Sequence, residues 1–287
     1  MPEFDRVLIG GLGLLGGSAA LAIRRHGLAR EIAACGRRDL TPAIDAGLID
    51  RQPHSLEEAA READFIILAT PVEVLRRQLP RVIERARPGA IITDVGSTKS
   101  LLVEAAEAAT GPGRFVGSHP MAGSHRTGWE AATPTLFEGT TTYVTVTSRT
   151  DPDAAARLCR FWEQLGSRTV VTDPAHHDAL CALLSHVPHL TASALVELIA
   201  QAGEDPAFLR VLAGSGLRDT TRVALGSGAI WEEICTHNRE EIATRLEATA
   251  GILRSLAGDI RRAPPGALAE RLDRAAALRA RLDRGAE

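Results

Sequence analysis

An α/β domain built on a doubly wound parallel sheet, followed by an all-α domain, is the fold class that this sequence predicts. Three observations carry the prediction. Short apolar runs alternate with helical stretches through the first half; a glycine-rich turn joins the first run to the first helix; after about Asp173 only helical periodicity remains. The 287 residues are enough for two ordinary domains. They divide as 1–173 and 174–287, across a short Asp173-Pro174 link.

Residues 6–10 read as a buried strand and residues 14–26 as a helix ending near Gly27. Between them Gly11, Leu12, Gly13, Leu14, Leu15 and Gly16 form a G-x-G-x-x-G turn in strand-to-helix context, the setting of a Rossmann-type dinucleotide site. Gly11 permits the tight turn, Gly13 lets the backbone approach a pyrophosphate, and Gly16 allows close helix–strand packing. The helix N-terminus offers free N–H groups and a positive dipole end. A second strand over 31–36 ends in Arg37-Arg38-Asp39. The arginines leave room and charge for a 2′-phosphate, which favours NADP, while Asp39 keeps NAD open.

A third strand over 64–69 stops at Thr70-Pro71, a helix follows over 72–86, and a fourth strand spans 90–95. That strand delivers Ser97 and Lys99, the only lysine of the chain, into a helix over 101–109. A fifth strand over 114–117 delivers His119, held between glycines and Pro120 in a segment too irregular for helix or strand. Ligands of such sheets bind beyond the carboxyl ends of the strands. The glycine loop, Thr70, Pro71, Ser97 and His119 all fall at that edge. Strands over 140–147 and 167–172, with a helix over 153–165 between them, are expected to extend the same sheet.

The second half predicts helices over 175–201, 205–213, 229–237, 239–257 and 266–284. Two polar clusters stand out there. In SHVPH (185–189) the histidines lie three apart with no acidic or cysteine partner nearby, so no metal is expected. In RDTTR (218–222) a helix would put Arg218 and Arg222 on one face and let Asp219 pair with Arg222. That cluster reads either as a surface ion-pair ladder or as an anchor for a substrate carboxylate.

Composition narrows the class. Hydrophobic content of 45% with 24% charged residues is that of a soluble globular protein. The net charge of −3, with no basic stripe, argues against a nucleic-acid surface. Uninterrupted apolar runs such as residues 65–69 are too short to cross a bilayer, and the first residues lack the layout of a signal peptide. A cytoplasmic setting with four reduced cysteines is the expectation.

The segments GLGLLGGS (11–18), DVGSTK (94–99), GSHPMAGS (117–124), SHVPH and RDTTR, in this order, resemble the prephenate/arogenate (cyclohexadienyl) dehydrogenase family over nearly the whole chain. The resemblance implies NAD(P)-dependent oxidative decarboxylation of a cyclohexadienol, and a homodimer formed through the helical domain. It gives His119 the hydrogen bond to the ring hydroxyl, with Ser97 orienting the histidine or that hydroxyl beside the nicotinamide. Ser185 and His189 line the substrate pocket with His186 in support, and Arg222, held by Asp219, binds a carboxylate. Ser124 and His125 lie at the pocket mouth. Many relatives carry a glutamate just after the GSHPMAGS motif, where this chain has His125-Arg126. The added cationic character suits the keto acid side chain of prephenate without excluding arogenate. Two other readings compete: a dehydrogenase of the same plan acting on another hydroxy acid, and a non-catalytic NAD(P)-binding sensor. The sensor would need the glycine loop but not Ser97, His119 and Arg222 together.

Overall fold

The computed structural model describes residues 2–124, 126–262 and 264–283. The first half contains β1 (Phe4–Gly10), α1 (Leu14–His26), β2 (Ala29–Cys35), α2 (Thr41–Asp45), α3 (Leu56–Ala59) and β3 (Phe65–Leu68). It continues through α4 (Val72–Arg85), β4 (Ile91–Asp94), α5 (Ser100–Ala108) and β5 (Arg114–Phe115). These strands form one parallel sheet in the order β2-β1-β3-β4-β5.

Strand periodicity sorts the core into two layers. Val7, Ile9, Phe65, Ile67 and Ile91 point to one face, where they meet Ala19, Ala20 and Ile23 of α1. Leu8, Ile66, Leu68 and Ile92 point to the other, against Leu75, Leu79 and Val82 of α4 and Leu102 of α5. Both faces are covered, as the near-continuous apolar strands require.

The chain then departs from the expected single sheet. β6 (Gly117–Pro120) pairs antiparallel with β7 (Thr141–Thr145), which pairs parallel with β8 (Arg168–Thr172) after α6 (Pro152–Gln164). This is a separate three-stranded sheet in the order β6-β7-β8, so residues 140–147 and 167–172 do not extend the first one. Polar side chains join the two instead. Asp94, at the end of β4, accepts from the Ser118 amide at 3.2 Å, and the Lys99 ammonium donates to the Ser118 carbonyl at 2.9 Å. The Ser118 hydroxyl donates to the Asp94 carbonyl at 2.6 Å and accepts from the Trp162 indole at 3.1 Å. The Ser118 backbone groups are thus satisfied by side chains rather than by a neighbouring strand of the first sheet.

His119 is therefore in a strand, opposite Tyr143, and not in an irregular loop. Pro120 is tolerated because β6 is the edge of its sheet. The predicted fifth strand is likewise divided: β5 stops at Phe115 and Gly117 opens β6.

Beyond Asp173 every element among the described residues is helical. α7 (Pro174–Cys181), a π-helical turn (Ala182–His186) and α8 (Val187–Gln201) make one continuous helix of 28 residues. Asp173 caps its start by accepting from the His176 amide, and Pro174 occupies the first turn. α9 (Pro206–Leu212), α10 (Ser215–Thr221), a 3₁₀ turn (Arg222–Leu225), α11 (Gly228–His237), α12 (Arg239–Arg262) and α13 (Ala267–Asp283) follow. By length and composition the 28-residue helix, which contains an 18-residue stretch of mean hydropathy 1.5, could cross a membrane, which no uninterrupted apolar run in the sequence suggested. The side chains it buries include His177, Asp178, His186 and His189, so it is the polar spine of a site.

Candidate active site

The glycine loop sits at the carboxyl end of β1. Gly11 has φ +100°, and a Cβ there would lie 2.8 Å from the Ala69 carbonyl oxygen and from Thr70 Cγ2. A Cβ on Gly16 would lie 2.1 Å from the Gly11 carbonyl oxygen, so the turn and the first turn of α1 are in direct backbone contact. Gly13 is the opposite case: a Cβ there would meet nothing within 4 Å. Gly13 is also the N-cap of α1, with no side-chain cap and no acid in the first turn. An open space before uncapped amides fits a pyrophosphate. Thr70 and Pro71 form the adjoining wall, with Pro71 as the N-cap of α4. Arg37 and Arg38 are exposed at the end of β2, while Asp39 accepts from the Thr41 amide and hydroxyl.

His119 follows Ser118, which Asp94 ties to the carboxyl end of β4, and is 9% exposed. Its Nδ1 is 3.0 Å from His177 Nε2, and His177 Nδ1 is 2.8 Å from Asp178 Oδ1. Asp178 also accepts from the Lys99 amide at 2.8 Å and the Ser100 amide at 2.9 Å, which ties α7 to the N-terminus of α5. Burial works to raise the Asp178 pKa, but the hydrogen bonds from His177, Ser100 and Lys99 together hold it below the ordinary carboxylate range. Burial lowers both histidines. His119 falls well below 6.5, helped by His177, Lys99 and His186. His177 falls less, because Asp178 opposes the burial. The Cys181 thiol is 3.3 Å from His177 Nε2 and is pushed up to about 12 by burial and the Asp178 charge, so it stays protonated.

Beneath the histidine pair, fully buried Lys99 is ion-paired with Asp94. The paired ammonium and the Ser118 carbonyl bond explain why a lysine survives here in an arginine-rich chain. Ser97 is half-buried and makes no hydrogen bond to His119 among the described residues. The group that holds His119 Nδ1 is His177, which the sequence reading passed over.

The SHVPH cluster lies further along the same long helix. His186 is buried, its pKa pushed down to about 4 chiefly by burial, and it stands 3.4 Å from Asn238 Nδ2. The 3₁₀ turn at Arg222–Leu225 packs against α8, where Val223 and Gly226 approach the His189 ring. That packing brings RDTTR beside SHVPH. The expected Asp219–Arg222 pair is absent among the described residues, because α10 ends at Thr221 and Arg222 turns into the 3₁₀ segment. Arg218, Asp219 and Arg222 are exposed, and Ser185 is half-buried within the π turn. Ser124 is exposed and accepts from the Arg126 amide; His125 lies outside the described residues.

The family model described as "Prephenate dehydrogenase, nucleotide-binding domain" matches residues 19–171, and "Prephenate dehydrogenase, dimerization domain" matches residues 173–273. The chain belongs to the prephenate dehydrogenase family. The prephenate dehydrogenase of Bacillus subtilis is 36% identical over 251 residues, which cover 85% of this chain and 67% of the relative. Among solved structures, that of prephenate dehydrogenase from A. aeolicus, in complex with hydroxyphenyl propionate and NAD+, superposes with a TM-score of 0.88 at 30% identity. It covers 97% of this chain and 98% of that one. Synechocystis arogenate dehydrogenase gives a TM-score of 0.83, also at 30% identity, over 96% and 99% of the two chains.

Membership in the prephenate dehydrogenase family makes this protein a nicotinamide-dependent oxidoreductase. The match to the nucleotide-binding model starts after the glycine loop, so the cofactor cradle rests on the geometry of Gly11, Gly13 and Gly16. Four residues of the site were missed in the sequence: His177, Asp178, Cys181 and Trp231. His-Asp is adjacent in the sequence at 177–178, but only the fold brings it to His119.

Proposed function

We propose that the protein is a prephenate dehydrogenase, catalysing NAD(P)-dependent oxidative decarboxylation of prephenate to 4-hydroxyphenylpyruvate. The observation that carries this reading is a buried, neutral His119 in a chain whose β1–α1 turn is an open glycine cradle. Residues 1–173 would hold the cofactor, and 174–287 would supply substrate contacts and the dimer face. When bound, the nicotinamide supplies a hydride acceptor at C4 of the substrate ring.

His119, kept neutral by burial, would take the ring hydroxyl proton as C4–O gains carbonyl character. Loss of carbon dioxide from C1 sends its electron pair into the ring, which becomes aromatic, and the phenolic oxygen recovers the proton. Ser97, just after β4, would position the hydroxyl. Ser185, His186 and His189 would line the pocket. Arg222, with Asp219 and Ser124, would meet the carboxylates, although Arg222 carries no Asp219 clamp here. The likeness to an arogenate dehydrogenase favours arogenate as the second substrate to test. Exposed Arg37 and Arg38 support NADP, whereas the A. aeolicus structure holds NAD+.

A homodimer accounts for the helical half. Its buried apolar cluster is small, Ala182, Ile234 and Ile242, while Leu198, Val211, Leu225 and Ile260 are each at least 64% exposed. The four cysteines are unpaired, which fits a reducing, cytoplasmic setting.

The test is absorbance at the reduced-nicotinamide band, crossing prephenate and arogenate with NAD and NADP. Reduction with prephenate supports the reading and ranks the cofactors. Reduction with arogenate alone replaces the substrate. Silence throughout, with cofactor bound, returns the protein to the sensor or to another hydroxy acid.

A further inference from the structure

Asp178 is surrounded by obligate donors. The Lys99 and Ser100 amides can only donate, and both point at its carboxylate. An ionised carboxylate only accepts, so His177 Nδ1, at 2.8 Å, must carry a proton. A neutral His177 then has its lone pair on Nε2, and that atom faces His119 Nδ1 at 3.0 Å. Two lone pairs do not meet at hydrogen-bond distance, so the proton between the rings sits on His119 Nδ1. The other ring nitrogen of His119 has no protein partner and is not among the buried unpaired atoms of the described residues. It is the open end of the ring.

We infer that His177 and Asp178 are positioning residues that hold His119 as its Nδ1–H tautomer, leaving Nε2 as the lone pair that meets the substrate hydroxyl. The inference rests on the dehydrogenase reading only for that last step. The device parallels the carboxylate that fixes a catalytic imidazole in hydrolase triads, with a second imidazole inserted between them. A competing arrangement is a doubly protonated His177 donating from Nε2, which would force His119 into the Nε2–H form and remove its ability to accept. Burial, the largest influence, and the Lys99 ammonium oppose that cation and together outweigh Asp178 and Asp94, which favour it. Cys181, whose thiol stays protonated, lies 3.3 Å from His177 Nε2 and 3.8 Å from His119 Nδ1, so the nearer ring nitrogen is the one it meets as a second donor.

The experiment is a long-range proton–nitrogen correlation spectrum of nitrogen-15-labelled protein near neutral pH, without substrate, with His119 assigned by its loss in His119→Asn. The expected pattern is a protonated Nδ1 and a bare Nε2 on His119, kept in Cys181→Ala. In His177→Phe the acceptor is gone, and His119 should relax to the commoner Nε2–H form. In His177→Gln the side-chain carbonyl can still accept, so the Nδ1–H form should persist. Kinetics should follow the tautomer. His177→Phe should lose about 100-fold in kcat with KM values within about threefold, and His177→Gln should recover most of that loss. An Nε2–H His119 in the unmodified protein, or an unchanged kcat in His177→Phe, overturns the proposal. Because the tautomer is read in the free enzyme, a failure to oxidise prephenate would count against the proposed function without touching this assignment.

Discussion

The His189 imidazole lies flat on the Trp231 indole, ring centroids 3.5 Å apart and 14° between planes. Trp231 also meets His186 edge-on at 5.9 Å, so one indole braces both histidines of the SHVPH segment. Aromatic contacts of this kind are worth about 1 kcal/mol each beyond burial. Trp231→Ala should therefore raise the substrate KM roughly tenfold while leaving cofactor affinity within about twofold. Steady-state kinetics with a parallel cofactor titration checks this, and an unchanged KM would place the stack outside the pocket.

His119→Asn should lower turnover by about 100-fold or more, the range for removing a general base. Cofactor affinity should hold, since the glycine cradle belongs to a different strand end. Retained turnover would remove His119 from the chemistry.

Gly13 and Gly16 should separate binding from folding. Gly16→Ala puts a methyl 2.1 Å from the Gly11 carbonyl oxygen and should cost about 1–3 kcal/mol of stability. Gly13→Ala adds a methyl to space open in the protein, so the melting temperature should stay put while cofactor affinity falls. Equal losses of stability in the two variants would contradict the cradle.

Arg37→Ala combined with Arg38→Ala should weaken NADP far more than NAD, because only NADP presents a 2′-phosphate. Comparing the two dissociation constants decides it, and equal weakening leaves the arginines as solvated surface charges.

Acid sensitivity should come from the buried histidines. The pKa of folded His186 is about 4, against an unfolded value of about 6.5. The unfolded chain therefore binds a proton that the folded chain refuses. The stability this site contributes is complete above about pH 6.5 and drains away as pH falls toward 4, roughly 3 kcal/mol in all. His119 and His177, also lowered, act in the same direction. Urea melts across that window should steepen with acid and flatten in His186→Gln. An unchanged slope would exclude His186 as a contributor.

Much of this was legible in the residues, and the reasons are local. The G-x-G-x-x-G turn declares itself because tight backbone contact at Gly11 and Gly16 tolerates nothing larger. The α1 boundaries follow from helical periodicity ending at Gly27, which adopts φ +63°. What stayed hidden depends on distant parts of the chain. β6 exists because β7 arrives more than twenty residues later, and because Asp94 and Lys99 satisfy Ser118 from another strand end. In the sequence His177 is one of two adjacent histidines near Pro174. Its role needs β6 and α7 to pack together, a contact that no local pattern encodes. The Asp219–Arg222 pair failed for the opposite reason: a sound local rule was applied one residue past the end of its helix.

The π-helical turn at Ala182–His186 has a consequence for chain length. Such a turn carries one residue more than an α-helical path between the same flanks. That surplus residue lets one helix present His177 and Cys181 toward β6, and His189 toward Trp231 and the turn at Arg222. Removing any single residue from the segment would let the helix close up and swing everything downstream by about 100°. Every residue of the SHVPH motif after the cut would survive, yet His189 would face elsewhere. In this stretch the count of residues is held as strictly as their identity.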